Sequence, residues 1–421
     1  MKVNNEEINV NIDIFSSIIF IGIFCSYGFG NLKERIPFYP SQILVYLLLV
    51  VSILKLIIKK QKIVIPAWYL IYITLLFLSV IMSLEYFDLI AQKQLINMIF
   101  YPLSFYFFIE INGVKKVIKL YLKFCFIICI IAIIQELGYI ANIKPLYDFT
   151  VYGVNMLFNT TGPFIRVTSI ATEPTWFIYY ILPAIYFSIG NMFNNSFKTF
   201  ISMKKSLIVI IASFLTFSLN GYIAMMLIIG YFIITEVRNQ KRNINTFIKI
   251  FMMIIFVGCI GTFLENIPSI NDRLHSLIDL KNGYQSDNLS VFAIISNFLV
   301  TKNGFMENPL IGIGFFAHRF NYYNYIYEFY STYQIYMELN YIDAANMFLR
   351  IISEFGIIGI ILYLTYFFKY KVKNEESNFR IVNSMAMMYL IIFSLRNGQY
   401  NTPIFWLAMI LYFCSYIESK A

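Results

Sequence analysis

A run of about twenty apolar residues is long enough to cross a bilayer as a helix, and this chain of 421 residues contains such runs one after another. They fall at about 13–30, 41–58, 64–83, 94–110, 117–139, 175–192, 206–219, 221–235, 246–264, 346–368, 381–396 and 402–417. With 59% hydrophobic and 13% charged residues, the chain has too little polar surface to cover a soluble globule. The pattern predicts an all-α integral membrane protein of about twelve transmembrane helices. No internal repeat, low-complexity tract or soluble domain interrupts it, so residues 1–421 read as a single polytopic membrane domain.

The net charge of +9 could serve an anionic surface or nucleic acid, and its distribution decides between them. Basic residues gather in alternate connections: Lys59, Lys60 and Lys62; Lys115, Lys116 and Lys119; Lys198, Lys204 and Lys205; Arg238, Lys241 and Arg242; Lys369, Lys371, Lys373 and Arg380. That alternation follows the positive-inside rule and predicts both termini in the cytoplasm, with no nucleic-acid partner. The opening segment is polar and acidic, lacks a basic n-region and shows no small-residue cleavage site, so the first span is expected to be retained. Cys25, Cys125, Cys129, Cys259 and Cys414 all fall inside predicted spans and read as core packing.

Two outer connections are long, about 141–175 and about 265–345, and long loops of this kind usually carry function. Within the second, Leu289 to Val300 is too short to span and predicts an interfacial helix. In the first, Arg166-Val-Thr-Ser-Ile-Ala-Thr-Glu173-Pro-Thr-Trp176 brings two charges to the mouth of a span, where charge is costly unless paired or wet. Pro174 marks a helix start that Glu173 could cap; Arg166 is left without such a structural task. The second loop holds the two histidines of the chain, His275 and His318, together with Asp272, Arg273, Asp279, Asp287, Arg319 and Asp343. Nothing in their spacing predicts a metal site, whereas an arginine fork matches phosphate oxygens bidentately.

From Phe315 to Tyr341 the loop is crowded with aromatics, including Tyr322, Tyr323, Tyr325, Tyr327, Tyr330, Tyr333, Tyr336 and Tyr341. These suit either an interfacial belt or a groove for sugar rings. Asn346, Arg350 and Glu354 then recur at every fourth residue, on one face of a predicted span, which must pack against protein or line a wet cavity. An Arg350–Glu354 ion pair is the structural explanation for two of them. Gly356 and Gly359 follow as a small-residue pair suited to close helix contact.

Several of these segments together resemble the bacterial O-antigen polymerase (Wzy-type) and O-antigen ligase superfamily. The Arg166–Thr175 stretch resembles its arginine and glutamate-proline-serine/threonine signature, and Phe217-Ser-Leu-Asn-Gly221-Tyr222 its "fSltGy" turn. Asn308-Pro-Leu-Ile-Gly-Ile-Gly314 matches an "NPLxGxG" segment, and Asn346 followed after nine residues by Gly356-Ile-Ile-Gly359 matches the tail of a ligase-type motif. That motif normally opens with histidine, thought to serve as base in ligases; here Ala345 stands in its place, which favours a polymerase. Glu173, Asp343 and His318 remain as candidate bases.

The resemblance implies a GT-C-type membrane glycosyltransferase with two long extracytoplasmic loops in the bacterial inner membrane. Its substrate would be a polyprenyl-pyrophosphate-linked oligosaccharide, its surroundings membrane lipids, and its partner a chain-length regulator. Arg166, Arg273 and Arg319 would face the pyrophosphate. No cofactor or metal is expected, since the leaving group is already activated and the chain has no Asp-x-Asp pair for a nucleotide sugar. A ligase acting on finished polymer, or a transporter of the same lipid, are the alternatives. Against transport, the polar residues gather on one face rather than at the midplane of two matching halves.

Overall fold

The computed structural model describes residues 12–29, 39–161, 163–238, 289–328, 338–373 and 378–420. Among them, all regular structure except one short hairpin is helical. Helices α1 (Ile14–Cys25), α2 (Pro40–Ile58), α3 (Ala67–Met82), α4 (Leu89–Asn112) and α5 (Val114–Ile140) come first. A single-turn α6 (Lys144–Tyr147) and the antiparallel hairpin β1 (Thr160–Thr161) and β2 (Phe164–Ile165) precede α7 (Pro174–Phe193), α8 (Met203–Phe214) and α9 (Leu219–Arg238). Helices α10 (Leu289–Glu307) and α11 (His318–Tyr325) lead to α12 (Met347–Lys369), α13 (Asn378–Arg396) and α14 (Pro403–Glu418).

Local chemistry sets the boundaries. Asp13 and Asp88 accept hydrogen bonds from the first-turn amides of α1 and α4, and proline opens α2, α7 and α14, where its missing N–H costs nothing. Gly113, with φ +79, alone separates α4 from α5. Among the described residues, seven helices are long and apolar enough to cross a membrane: α2, α4, α5, α7, α9, α12 and α13. Three shorter apolar helices, α1, α3 and α14, accompany them. The protein is therefore a nearly all-helical, multi-pass membrane protein.

Three runs expected to span, at 13–30, 64–83 and 402–417, form helices of 12, 16 and 16 residues, and two further expectations change. The stretch expected to span at 206–219 forms α8, which has 12 residues and so reaches only ~18 Å at 1.5 Å per residue, against ~30 Å of hydrocarbon. The segment expected to lie on the surface from Leu289 begins a longer helix, α10, whose Phe292 and Val300 pack on Tyr322 and Ile326. The expected span at 246–264, with Cys259, lies outside the described residues, as do Asp272, Arg273, His275, Asp279, Asp287, Tyr330, Tyr333 and Tyr336.

Helix α7 runs through the middle and is buried along nearly its whole length. Around it, aromatic rings fill the interior: Phe20 stacks on Phe108 at 4.9 Å, and Tyr179 meets Phe393 at 4.9 Å. Many polar groups between helices are paired, as membrane burial favours; Asn383 on α13 donates to the carbonyls of Tyr370 and Tyr412. Outward-facing isoleucines and leucines such as Ile57, Ile58, Leu70, Ile71 and Leu78 form the surface a bilayer would cover.

Candidate active site at the loop-bearing end of the bundle

The Arg166–Glu173 segment does not run over the surface. Gln135 of α5 accepts hydrogen bonds from the amides of Thr168 and Ser169 at 3.0 and 2.9 Å, and the Ser169 hydroxyl donates to the carbonyl of Ile128 at 2.8 Å. Ile128 lies twelve residues before the end of α5, so this loop descends ~18 Å along that helix. Irregular backbone at such depth is tolerated only where protein surrounds it. The short α8 makes the room: the Val167 amide bonds to the Leu215 carbonyl just past its end.

The Phe217-to-Tyr222 turn is the brace for this loop. Phe217, held at φ +44, stacks on Phe164 at 5.9 Å, and Ser218 lies 3.5 Å from Thr175. Arg166 emerges half-buried directly after β2. Glu173 occupies the N-cap position of α7, yet its side chain makes no capping hydrogen bond. Its half-buried carboxylate is therefore not explained by helix capping.

The Asn308–Gly314 segment pairs with α12. That helix breaks at Gly356, whose φ of 60 and ψ of −155 are open essentially to glycine alone. The break frees backbone groups that the loop satisfies. Ile313 and Gly314 donate to the carbonyls of Ser353 and Glu354 at 3.1 and 2.9 Å; Ile357 and Ile358 donate to those of Pro309 and Leu310 at 2.9 and 3.1 Å. Backbones approach so closely that a Cβ on Gly356 would lie 2.4 Å from the Leu310 carbonyl carbon. The small residue at 356 thus serves a loop contact, where the sequence suggested a helix contact.

One turn before the break, Arg350 and Glu354 form an ion pair at 2.9 Å, 1% and 0% exposed. Arg350 also donates to the Gly398 carbonyl at 2.8 Å and lies 3.7 Å from the centre of the Tyr400 ring, while the Tyr400 hydroxyl donates to Glu354 at 2.6 Å. These residues fasten the 397–402 loop to α12. Burial pushes the Tyr400 hydroxyl well above its ordinary pKa and keeps it a donor.

Above this pair, the turn from Asp343 to Asn346 is clasped by the end of α13. Asn346 caps α12 through the amides of Phe348 and Leu349 and donates to the Leu395 carbonyl at 2.7 Å. Asp343 accepts from Asn340, from the Ala345 amide and from Gln399 at 2.9, 3.0 and 3.1 Å. Arg396 donates to the Ala345 carbonyl at 3.3 Å. Ala344 and Ala345 both hold φ of 56, a left-handed conformation that costs an alanine about 1 kcal/mol or more and persists only where its surroundings enforce it.

His318 and Arg319 face inward. The Asn297 amide nitrogen is committed as donor to the carbonyls of Ala293 and Leu339, so its oxygen accepts from His318 Nε2 at 3.0 Å. Nδ1 then accepts from the Ser353 hydroxyl at 2.9 Å. Full burial, with the Arg350 charge nearby, lowers the His318 pKa to about 3 and keeps the ring neutral. Arg319 donates to Asp88 at 2.8 Å and to the Tyr86 carbonyl at 3.1 Å, and lies over the rings of Phe320 and Phe316. That hydrogen bond holds the Asp88 carboxyl below its usual pKa. Tyr322 is buried under the outer helices, whereas Tyr323 and Tyr327 stay exposed.

Asp343, Asn346, Arg350 and Glu354 are thus joined in one bonded network, and Arg166 and Glu173 share another loop. Helix α7 follows the second of these directly, and its Trp176 and Tyr180 line a small apolar cavity with Thr402, Pro403 and Ile404. Two residues here escaped the sequence reading. Arg396 ends a span on the face opposite the basic clusters, a visible exception to the charge asymmetry. Glu136, 4% exposed on α5, is an acid inside a predicted span. Among the described residues, no three His, Cys, Asp or Glu side chains gather as a metal would require.

Residues 206–364 match the family model described as O-antigen ligase. That stretch contains the Phe217–Tyr222 turn, the Asn308–Gly314 loop, Asn346 and the Gly356 break, and bears out the resemblance to the O-antigen polymerase and ligase superfamily. No curated protein matches the chain. The match supports, in general terms, an O-antigen ligase- or polymerase-type function and a glycosyltransferase-like membrane enzyme.

Proposed function

We propose that the protein is a GT-C-type polymerase of surface-polysaccharide repeat units. It would transfer the growing chain from a polyprenyl-pyrophosphate carrier onto the non-reducing end of a new lipid-linked repeat unit, at the outer face of the bacterial inner membrane with both termini cytoplasmic. The observation that carries this is the re-entrant Arg166–Glu173 loop, which holds a half-buried cation and a half-buried carboxylate below the mouth of the bundle.

In the reaction, the acceptor hydroxyl oxygen bonds to the anomeric carbon of the growing chain as its proton passes to a base. The bond from that carbon to the phosphate oxygen breaks, and its electron pair leaves with the lipid pyrophosphate. Glu173 is the candidate base favoured here, because it makes no capping bond while Asp343 has both oxygens engaged and His318 is sealed between Asn297 and Ser353. Arg166 would stabilise charge developing on the leaving group. Arg319, committed to Asp88, reads better as a positioning residue. The reaction needs no metal, since the pyrophosphate is already a good leaving group.

Polymerase is favoured over ligase because Ala345, buried at 1%, offers no base where the ligase-type motif has histidine. A deletion strain tests this directly. Loss of a polymerase leaves single repeat units on the final acceptor, whereas loss of a ligase leaves polymer on the carrier lipid; the second result would overturn the reading. In the complemented strain, Arg166→Lys keeps the charge but loses the fork and should abolish long chains.

A further inference from the structure

We propose that Arg396 is a second phosphate-binding residue of this site, taking an oxygen pair of the lipid pyrophosphate at the clasp between α13 and the Asp343–Asn346 turn. This rests on the polymerase reading above and adds a residue that neither the sequence motifs nor the family match supplies, since Arg396 lies beyond residue 364.

An arginine in the last turn of a helix ordinarily satisfies that helix's own terminal carbonyls. Here two of those carbonyls have other partners: Asn346 bonds to that of Leu395, and the Asn397 amide to that of Phe393. Arg396 instead crosses to the Ala345 carbonyl, through one nitrogen and at a long 3.3 Å. Asp343 stands in the same turn, yet no ion pair joins the two among the described residues, because amide groups already occupy the carboxylate. Among the described residues, the half-buried guanidinium makes one hydrogen bond, that to Ala345.

A second observation points into the same place. The hydroxyl of Tyr179, on α7 and 2% exposed, has no hydrogen-bond partner among the described residues, and the charges of Arg396 and Asp343 both act on it. A buried hydroxyl left unsatisfied is destabilising. A phosphate oxygen held by the Arg396 fork would accept from it. Charge-assisted bidentate bonding, strengthened by partial burial, is what such an arrangement supplies.

The test uses the full chain in lipid nanodiscs, titrated with polyprenyl pyrophosphate, polyprenyl monophosphate and inorganic pyrophosphate. Arg396→Gln is expected to weaken pyrophosphate-lipid binding by about tenfold or more, with Arg396→Lys intermediate; should the glutamine variant fail to fold, the lysine variant decides. Tyr179→Phe should weaken binding while raising the melting temperature of the empty protein, a combination a purely structural tyrosine would not produce. If Arg396→Gln and Arg396→Lys bind as wild type while Arg166→Lys does not, this inference fails and the polymerase reading stands. If the wild type binds none of the three ligands, both fall.

Discussion

Gly356→Ala separates a broken helix from a merely well-packed one. In an ordinary helix interior, glycine to alanine gains up to about 1 kcal/mol. At φ 60 and ψ −155, alanine instead incurs roughly 1–3 kcal/mol of backbone strain. The new Cβ would sit 2.4 Å from the Leu310 carbonyl carbon, so the Asn308–Gly314 loop must move away. That displacement puts at risk the bonds of Ile313, Gly314, Ile357 and Ile358, each worth about 1 kcal/mol net. The total loss is then roughly 3–7 kcal/mol. Gly230 on α9 is the control, since a Cβ there meets nothing within 4 Å. Thermal melts of the purified protein should show Gly356→Ala well below wild type and Gly230→Ala at or above it. A Gly356→Ala protein as stable as wild type would refute the broken-helix argument.

Two further outcomes are expected. The His318 pKa falls from an ordinary 6.5 to about 3 on folding, so between those values the unfolded chain binds more protons and stability rises with pH, by up to about 1.4 kcal/mol per unit; melting temperature should drop as pH falls below 6.5, and His318→Gln should flatten that slope. Removing one partner of the buried Arg350–Glu354 pair should cost about 3–5 kcal/mol, whereas Arg350→Met with Glu354→Met should cost less than the sum of the single changes, measured as a double-mutant cycle of melts.

Much of the bundle is legible in the chain because hydrocarbon imposes a simple rule on length and polarity. Runs such as 41–58 and 117–139 appear as α2 and α5 nearly residue for residue. The rule fails where loops enter the bundle: α8 stops at Phe214 because the Arg166 loop occupies the space beyond it, a contact invisible along the sequence. The Arg350–Glu354 pair was readable from spacing alone, being local. Arg396 and Gln399 were not, since they matter only through partners some fifty residues away. His318 and Arg319 look alike as exposed loop residues in the sequence; burial by α10, α12 and the Asp88 turn turns both into supports.

The long loops of this protein are keyed to neighbouring segments, by backbone bonds and by one ion pair. The Arg166 segment locks to the turn after α8, the Asn308–Gly314 segment to the interrupted helix, and the stretch carrying Arg319 to Asp88. For anyone exchanging loops between this protein and others built like it, the unit of exchange is consequently the loop together with the segment that holds it. A single transplanted loop would arrive without its lock, and a chimera should become more tractable as each loop travels with its mate.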